Sequence, residues 1–376
     1  MSKLKDAAKK LNLDKAYHTA NKMIYGIKAP FSHESIDINC DEARRILEEF
    51  SKKPAGSSFA DNELIEPFKY DLQIIIPAYN VEKYLKECMD SVLYQQTEYS
   101  FTVTLIDDGS TDGTPQIADS YGEDSRVNII HQENRGFSGA RNRGLEKIEA
   151  KYISFVDSDD VLPQGALQAL MSAALKKDAD IVEGGFYNLT GNSILKKQST
   201  DSVRAVNPQT SLRGQPWGKV YRSSLFKCVH FPEGFWFEDS INSFLIFPSV
   251  KSAYVIPDCV YTYRIQPDSI TRTAPSRPKC IDTYWITEML VTERKKLGLP
   301  ENEDFYNKFL SQLMLNAQRV SKMPEDIKKC VFVLTADLVE KNFEINNVDK
   351  KYVPLLGALK KRDYGEYSLY CSTHTR

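Results

Sequence analysis

Leu72-Gln73-Ile74-Ile75-Ile76-Pro77-Ala78-Tyr79-Asn80 is the stretch on which the fold turns: a short apolar run that meets a proline and then turns polar. The run has the length of a strand. Pro77 can neither donate to a ladder nor continue one, so the expected strand stops there and the Tyr79 ring projects at the sheet edge, where it can stack on a flat base. Outward from this stretch, short apolar runs recur at residues 101–107, 127–131, 152–157 and 181–187. Helical periodicity fills the gaps at 81–94, 114–121, 138–148 and 163–176. Alternation at this spacing specifies an α/β domain with a mainly parallel central sheet and helices on both faces. In such sheets ligands sit beyond the carboxyl ends of the strands, which is where the chemistry is to be sought.

The rest of the chain is organised around that domain. A length of 376 residues exceeds what one core usually holds, which predicts two or three parts. The expected division is an N-terminal helical extension and linker over 1–70, an α/β domain over 71–275 with halves at 71–190 and 191–275, and a helical region over 276–376. Residues 1–30 carry seven lysines against two aspartates, with Leu4, Ala8, Leu11, Leu13, Tyr17, Ala20 and Ile24 at helical spacing. A basic amphipathic helix of this kind either packs its stripe on the main domain or rests on a membrane surface. Residues 41–53 read as a short helix capped by Asp41, followed by a linker at Pro54-Ala55-Gly56-Ser57-Ser58. Beyond Asn192 the alternation fades, with a strand pair expected near 254–256 and 260–264. From 277 to about 346 the period is helical, through Ile281, Trp285 and Met289 and then Phe305, Phe309, Leu313 and Ala317.

Composition excludes several classes. The 49 basic residues nearly balance the 51 acidic ones, leaving a formal charge of −2 and no global electrostatic case for nucleic acid. The seven cysteines are odd in number and scattered without a C-x-x-C pair, which argues against a disulfide framework or a zinc site and fits a reducing cytosol. No apolar run approaches the ~18–20 residues that span a bilayer, and the lysine-rich start lacks the apolar segment of a secretory signal. The expected location is therefore cytoplasmic, with peripheral contact to the inner face of the membrane through the N-terminus. The five histidines, His18, His33, His131, His230 and His374, are dispersed and offer no rival site; His131 ends a strand.

Three acidic or basic clusters fall at or just after strand ends, and a fourth lies in the irregular stretch beyond Asn192. Asp107-Asp108-Gly109-Ser110-Thr111-Asp112 sets three carboxylates around a tight turn; Asp112 or Thr114, with Pro115, makes the start of the next helix, and Asp107 or Asp108 is left to accept from a ligand such as an imide N–H. The segment from Glu133 to Gly144 contains Asn134, Ser138 as a helix cap, and Arg141 and Arg143 in the first turns, where backbone and guanidinium donors could face phosphate together. Ser154-Phe155-Val156-Asp157-Ser158-Asp159-Asp160 runs an apolar strand straight into three carboxylates. Two apart on an extended chain, Asp157 and Asp159 point the same way and can converge on one Mg²⁺ or Mn²⁺; the competing reading is a capping turn. Phe235-Trp236-Phe237-Glu238-Asp239-Ser240 places two acids among aromatics, where burial raises a carboxylate pKa and makes a better base, or where Asp239 simply caps a helix.

Taken in order, these segments together with Trp217-Gly218-Lys219 resemble the family-2 glycosyltransferases, inverting enzymes of the GT-A fold that act on bacterial cell-surface glycans, over roughly residues 71–270. The resemblance implies that Pro77, Tyr79, Asn80 and Asp108 form a nucleoside pocket with Asn134 and Arg141 beside it. It implies that Asp157 and Ser158 hold the ribose or sugar of a nucleotide-diphospho-sugar donor, and that Asp159 ligates a divalent metal, Mn²⁺ or Mg²⁺. Asp239 is then the general base. Trp217, Lys219, Glu238 and Arg264 correspond to acceptor or lid positions, with Ser269-Ile270-Thr271 in the closing segment. The acceptor class implied is a hydroxyl of a glycan, polymer or lipid-linked molecule, and the terminal helical regions are available for oligomer formation. Two other readings stay open: a nucleotidyltransferase that makes the sugar nucleotide, for which a glycine-rich basic loop after the first strand is missing, and a non-catalytic donor-binding subunit.

Overall fold

The computed structural model describes residues 19–191, 193–266, 273–343 and 348–374. The stripe from Leu4 to Tyr17, His18 and the segment Ser269-Ile270-Thr271 lie outside the described residues. The chain forms two compact units: one joins Pro54–Ser269 with Met289–Pro300, and the other joins the described parts of Met1–Lys53, Ile270–Glu288 and Glu301–Arg376. These groupings are discontinuous in sequence, where the sequence reading drew linear boundaries at 70 and 275.

The first unit is built on one nine-stranded sheet. Its strands are β1 (Tyr70–Ala78), β2 (Phe101–Asp107), β3 (Val127–His131), β4 (Ala150–Phe155), β5 (Ile181–Thr190), β6 (Ser193–Gln198), β7 (Arg204–Ala205), β8 (Lys219–Arg222) and β9 (Ala253–Arg264). They lie in the order β3-β2-β1-β4-β8-β5-β9-β7, with β6 also paired to β5. The first four are parallel, as expected. The later half is mixed: β8 enters antiparallel between β4 and β5, β9 returns parallel to β5, β6 pairs antiparallel with β5, and β7 pairs antiparallel with β9.

Burial on both faces explains why β1 is apolar over 72–78 except at Gln73. Leu72, Ile74 and Ile76 join Cys88, Met89 and Val92 of the helix Leu85–Leu93 in the main core. On the other face, the helix Gly136–Leu145 comes so near that a Cβ on Gly144 would stand 2.6 Å from Ile75 Cγ2. Gln73 is polar and buried there because its amide donates to the Gly144 carbonyl at 3.0 Å and the Lys147 carbonyl at 3.2 Å.

Several local expectations are corrected. Strand β1 does not stop at Pro77 but runs to Ala78. The Ile75 carbonyl accepts from Val156 N at 3.1 Å and the Ala78 carbonyl from Asp108 N at 2.9 Å, so alternate residues face opposite neighbours. Pro77 faces β4 beyond its last pair, Ile75 with Phe155, where no donor is needed. The expected pair near 254–256 and 260–264 is the single strand β9, which passes Pro257 with a register shift between Val255 and Cys259. The helix over Cys40–Phe50 is capped by Asn39, whose side chain accepts from Glu42 N, and not by Asp41. The expected linker is packed: Ser58 is buried and its N–H donates to Glu293 at 3.0 Å, while a Cβ on Gly56 would meet the Glu233 carbonyl at 2.2 Å.

The second unit is helical. The helix Cys40–Phe50 packs against Glu325–Asn342, and Glu303–Arg319, Val353–Lys361 and Tyr364–Thr373 complete the group. Asn316 organises its interior, accepting from Thr283 Oγ1 at 2.6 Å and Gln312 Nε2 at 2.8 Å and donating to Thr287 Oγ1 at 3.0 Å.

Candidate active site

Strand ends β1 and β2 carry a braced turn. Asn80 takes a left-handed φ of 52°, a conformation its short polar side chain tolerates. Its N–H donates to Ser110 Oγ at 3.0 Å, and its Oδ1 accepts from Thr111 N at 2.8 Å. Asp112 accepts from Glu82 N at 3.2 Å and from Thr114 N at 3.0 Å, but it does not cap the helix Thr114–Asp119, whose N-cap is Gly113 without a side-chain cap. Gly109 has φ 74°, and a Cβ there would lie 2.9 Å from Asn134 N, so this turn requires glycine. Tyr79 is half exposed at the rim. Asn134 is exposed and accepts from Gly136 N at 3.3 Å.

The two buried aspartates of that turn divide. Asp107 accepts from Ser110 N at 3.1 Å with one oxygen and meets His131 Nδ1 at 2.9 Å with the other. His131 Nε2 reaches Asp119 at 3.0 Å, and these two hydrogen bonds, Asp107 first, raise the imidazole pKa. Asp108 Oδ1 accepts from Gln132 Nε2 at 2.7 Å and Arg135 N at 2.9 Å. Its Oδ2 has no hydrogen bond among the described residues, which leaves an acceptor for a ligand.

The acidic segment after β4 differs from its expected form. The strand ends at Phe155, and Asp157 to Asp160 close a turn in which Asp160 N donates to the Asp157 carbonyl at 3.0 Å. The two-residue alternation of an extended chain therefore does not apply to Asp157 and Asp159. Asp157 Oδ1 accepts from Arg141 Nη2 at 2.8 Å, and its backbone N–H donates to the Tyr261 hydroxyl at 3.0 Å. Asp160 is buried and accepts from Arg264 N at 2.6 Å. Burial and then Asp157 push the Asp159 carboxyl up to about 6; burial, Asp159 and Asp157 push Asp160 well above the usual range. The turn crowds three carboxyl groups beside Arg141 and Arg264, and its hard oxygen donors suit Mg²⁺ or Mn²⁺. Ser158 is buried within it.

Arg141 links this turn to the second acid pair. Its Nη1 donates to Glu238 Oε1 at 2.5 Å, its side chain is 6 % exposed, and the guanidinium lies 5.3 Å from the Phe231 ring centroid. Burial works against its charge, but Asp157 and Glu238 outweigh it and raise its pKa. The expectation that Arg141 and Arg143 stand together is corrected: Arg143 is exposed and pairs with Glu146. Ser138 lies inside the helix, which starts at Gly136, and does not cap it. Glu238 is buried; burial pushes its carboxyl up to about 7 against the pull of Arg141, with Asp239 adding to the rise. Asp239 is half-buried, and its charge reaches Lys219 and Tyr221 as well as Glu238. The pair is preceded by Phe237 at φ 64° and followed by a π-helical turn, Asn242–Ile246; backbone of both kinds concentrates at functional sites.

The remaining expected positions do supporting work. Trp217 is buried and stacks on Tyr261 at 4.5 Å and Tyr263 at 5.5 Å, with Phe186 edge-on. Lys219 is fully buried, bonds Glu183 at 2.8 Å and donates to the carbonyls of Arg213 and Gln215, so it fixes the loop before Trp217. Arg264 donates to the Asp159 carbonyl at 2.9 Å and to Glu87 at 2.7 Å, clasping the acidic turn from outside. Arg222 pairs with Asp178 and Asp180. Sequence reading missed Tyr261, Glu183, Glu233 and Gln132. Tyr261 and Asp157 are 104 residues apart, and Glu183 and Lys219 meet only across β5 and β8, so no local pattern marks them. Among the described residues, three ligand atoms crowd within 4.8 Å at His33, Asp363 and Glu366, in the other unit. There Asp363 caps the helix Tyr364–Thr373 and pairs with His33 at 2.5 Å.

A central α/β sheet whose strand ends gather these carboxylates is the frame of a GT-A glycosyltransferase. The chain belongs to glycosyl transferase family 2, whose family model matches residues 73–231. Glycosyltransferase GlyG of Streptococcus pneumoniae serotype 4 (strain ATCC BAA-334 / TIGR4) is 31% identical over 246 residues, covering 60% of this chain and 79% of GlyG. EpsJ of Bacillus subtilis (strain 168), described as an uncharacterized glycosyltransferase, is 31% identical over 293 residues, covering 71% and 84%. The crystal structure of S. aureus TarS 1-349 in complex with UDP-GlcNAc is similar in fold, with a TM-score of 0.65 at 21% identity over 81% of this chain and 91% of that one. The protein is accordingly a glycosyltransferase. Among the described residues no helix is long and apolar enough to cross a membrane.

Proposed function

We propose that this enzyme transfers a sugar from a UDP-sugar to a hydroxyl of a glycan, polymer or lipid-linked acceptor in the synthesis of a bacterial surface polysaccharide or glycoconjugate, with inversion at the anomeric carbon. One observation carries the reading: Arg141 bonds both Asp157 and Glu238, so the acidic turn after β4 and the Glu238-Asp239 pair belong to one site. The UDP-GlcNAc complex of TarS, a chain of like fold, supports the donor class.

In this reading Tyr79 stacks on the base and Asp108 Oδ2 accepts from its imide N–H, while Pro77 and Asn80 shape the turn and Asn134 and Arg141 border the donor. Asp157 and Ser158 face the donor sugar. Asp159 is the metal ligand, and a bound Mn²⁺ or Mg²⁺ stabilises negative charge on the departing diphosphate. Asp239 accepts the proton from the acceptor hydroxyl as that oxygen bonds to the anomeric carbon. The carbon's bond to the diphosphate breaks in line, and the electron pair leaves with the diphosphate. Glu238, held by Arg141, keeps the base in place, and Phe237 fixes its approach. Residues 71–190 act as the donor half and 191–275 as the acceptor half, with the terminal helical regions available for self-association. The working location is the cytosolic side of the cell membrane.

The test is a screen of nucleotide sugars by calorimetry and by donor hydrolysis, with and without Mn²⁺. Metal-stimulated turnover of a UDP-sugar is the expected result. Absence of nucleotide binding overturns the proposal, and release of pyrophosphate from a nucleoside triphosphate transfers it to sugar-nucleotide synthesis.

A further inference from the structure

Residues 19–28 form a helix that leads into the turn Ala29–Phe31, and its outward side is apolar. Met23 is 64% exposed, Ile24 41%, Ile27 70% and Phe31 87%. Four of the twelve large apolar side chains exposed among the described residues thus fall within nine positions. At about 100° per residue, Met23, Ile24 and Ile27 share one side of the helix, and Phe31 continues the line after the next four residues.

The opposite side is already used. Asn21 is buried, and Tyr25 meets Tyr370 edge-on at 5.5 Å, His374 at 5.2 Å and donates to Glu366 at 3.2 Å. The helix is therefore docked by Asn21 and Tyr25, and docking turns Met23, Ile27 and Phe31 to solvent. An ordinary surface helix has the reverse arrangement, apolar side in and polar side out.

Charge identifies what covers this face. No acidic residue occurs from position 15 to 33, where Lys15, Lys22 and Lys28 stand, and residues 1–18 carry five lysines against two aspartates. A second copy of the chain meeting the same face across a two-fold axis would bring Lys28, which flanks that face beside Ile24, near its own counterpart. We infer that the Met23-Ile27-Phe31 face is a docking surface for an anionic lipid membrane, with the apolar side chains entering the headgroup boundary and Lys28, on the flank of that face, meeting acidic headgroups. The inference goes beyond the transfer reaction and is independent of the donor and acceptor proposed above.

The experiment is flotation of the full chain with phosphatidylcholine vesicles, with and without phosphatidylglycerol, alongside the variant M23S/I27S/F31S. The wild type is expected to float with the anionic vesicles and to be released by high salt, and the variant to lose at least about tenfold in vesicle affinity. Because the three side chains are exposed, the variant should keep the wild-type melting temperature and circular dichroism. Equal flotation of the two proteins, or no flotation of the wild type, overturns the inference. A concentration-dependent dimer in the wild type that the variant abolishes, seen by light scattering without lipid, also overturns it and assigns the face to self-association.

Discussion

Arg141 and Glu238 form a buried ion pair, with Nη1 2.5 Å from Oε1, and the second terminal nitrogen of the same guanidinium holds Asp157 at 2.8 Å. A planar fork can serve two carboxylates at once, whereas an ammonium acts as a point charge. Arg141→Lys should therefore keep one contact and lower transfer by about a hundredfold through misplacement of the acids. Arg141→Gln leaves two carboxylates without their cation and should destabilise the fold by about 3–5 kcal/mol, read as a lower urea midpoint. Wild-type activity in the lysine variant would show that the bridge is dispensable.

Asp239→Asn should reduce transfer by about 10²–10⁴-fold while donor affinity stays within a few-fold, because a base acts mainly in the transition state. Calorimetry with the donor separates the two effects. A large loss of donor affinity would instead place Asp239 among the donor contacts.

Asp159 should make metal activation depend on pH. Its carboxyl is pushed up to about 6, so the cation-binding form is lost as pH falls through that value, and half-saturating Mn²⁺ should rise there. Without metal the sign for stability reverses. A raised acid binds more protons folded than unfolded, so its contribution falls as pH rises from 3.8 to about 6 for Asp159 and from 4.5 to about 7 for Glu238. Melting of chelator-treated protein across this window checks the direction.

His131 should couple donor binding to pH. When protonated it bridges Asp107 and Asp119, and Asp107 in turn holds Ser110 N in the turn after β2. Its folded pKa is raised above 6.5, so the bridge is complete below that value and is lost as pH rises through the folded value. Donor KM should climb over that range in the wild type with kcat little changed, and His131→Asn should flatten the profile. A pH-independent wild-type KM would remove this role.

Lys219 is a structural cation. Its pKa is lowered by burial against the opposing pull of Glu183, and its ammonium ties the loop at Arg213 and Gln215. Lys219→Met alone should lower stability in urea unfolding by ~3 kcal/mol, because Glu183 loses its buried cation and keeps only Arg213, and adding Glu183→Gln should restore part of it. Full stability in the single variant would contradict the assignment.

From the sequence by itself came the α/β alternation, the parallel order of the first strands and the placing of Asp108, Asp157 and Asp159 at or just beyond strand ends. These features are local: a run buried on both faces is mostly apolar, and Asp108, Asp157 and Asp159 follow within a few residues of the ends of such runs. Only the tertiary structure decided which charges meet. Arg141 lies 97 residues from Glu238, and β8 enters between β4 and β5 against the direction of both. That insertion buries Lys219, which the sequence presented as a position near the acceptor, and stacking on Tyr261 buries Trp217. The helix at residues 19–28 is the same case in reverse. Its periodicity announced an amphipathic helix, but the orientation came from the docking of Tyr25 on Tyr370, because a pattern along one segment carries no record of the surface that meets it.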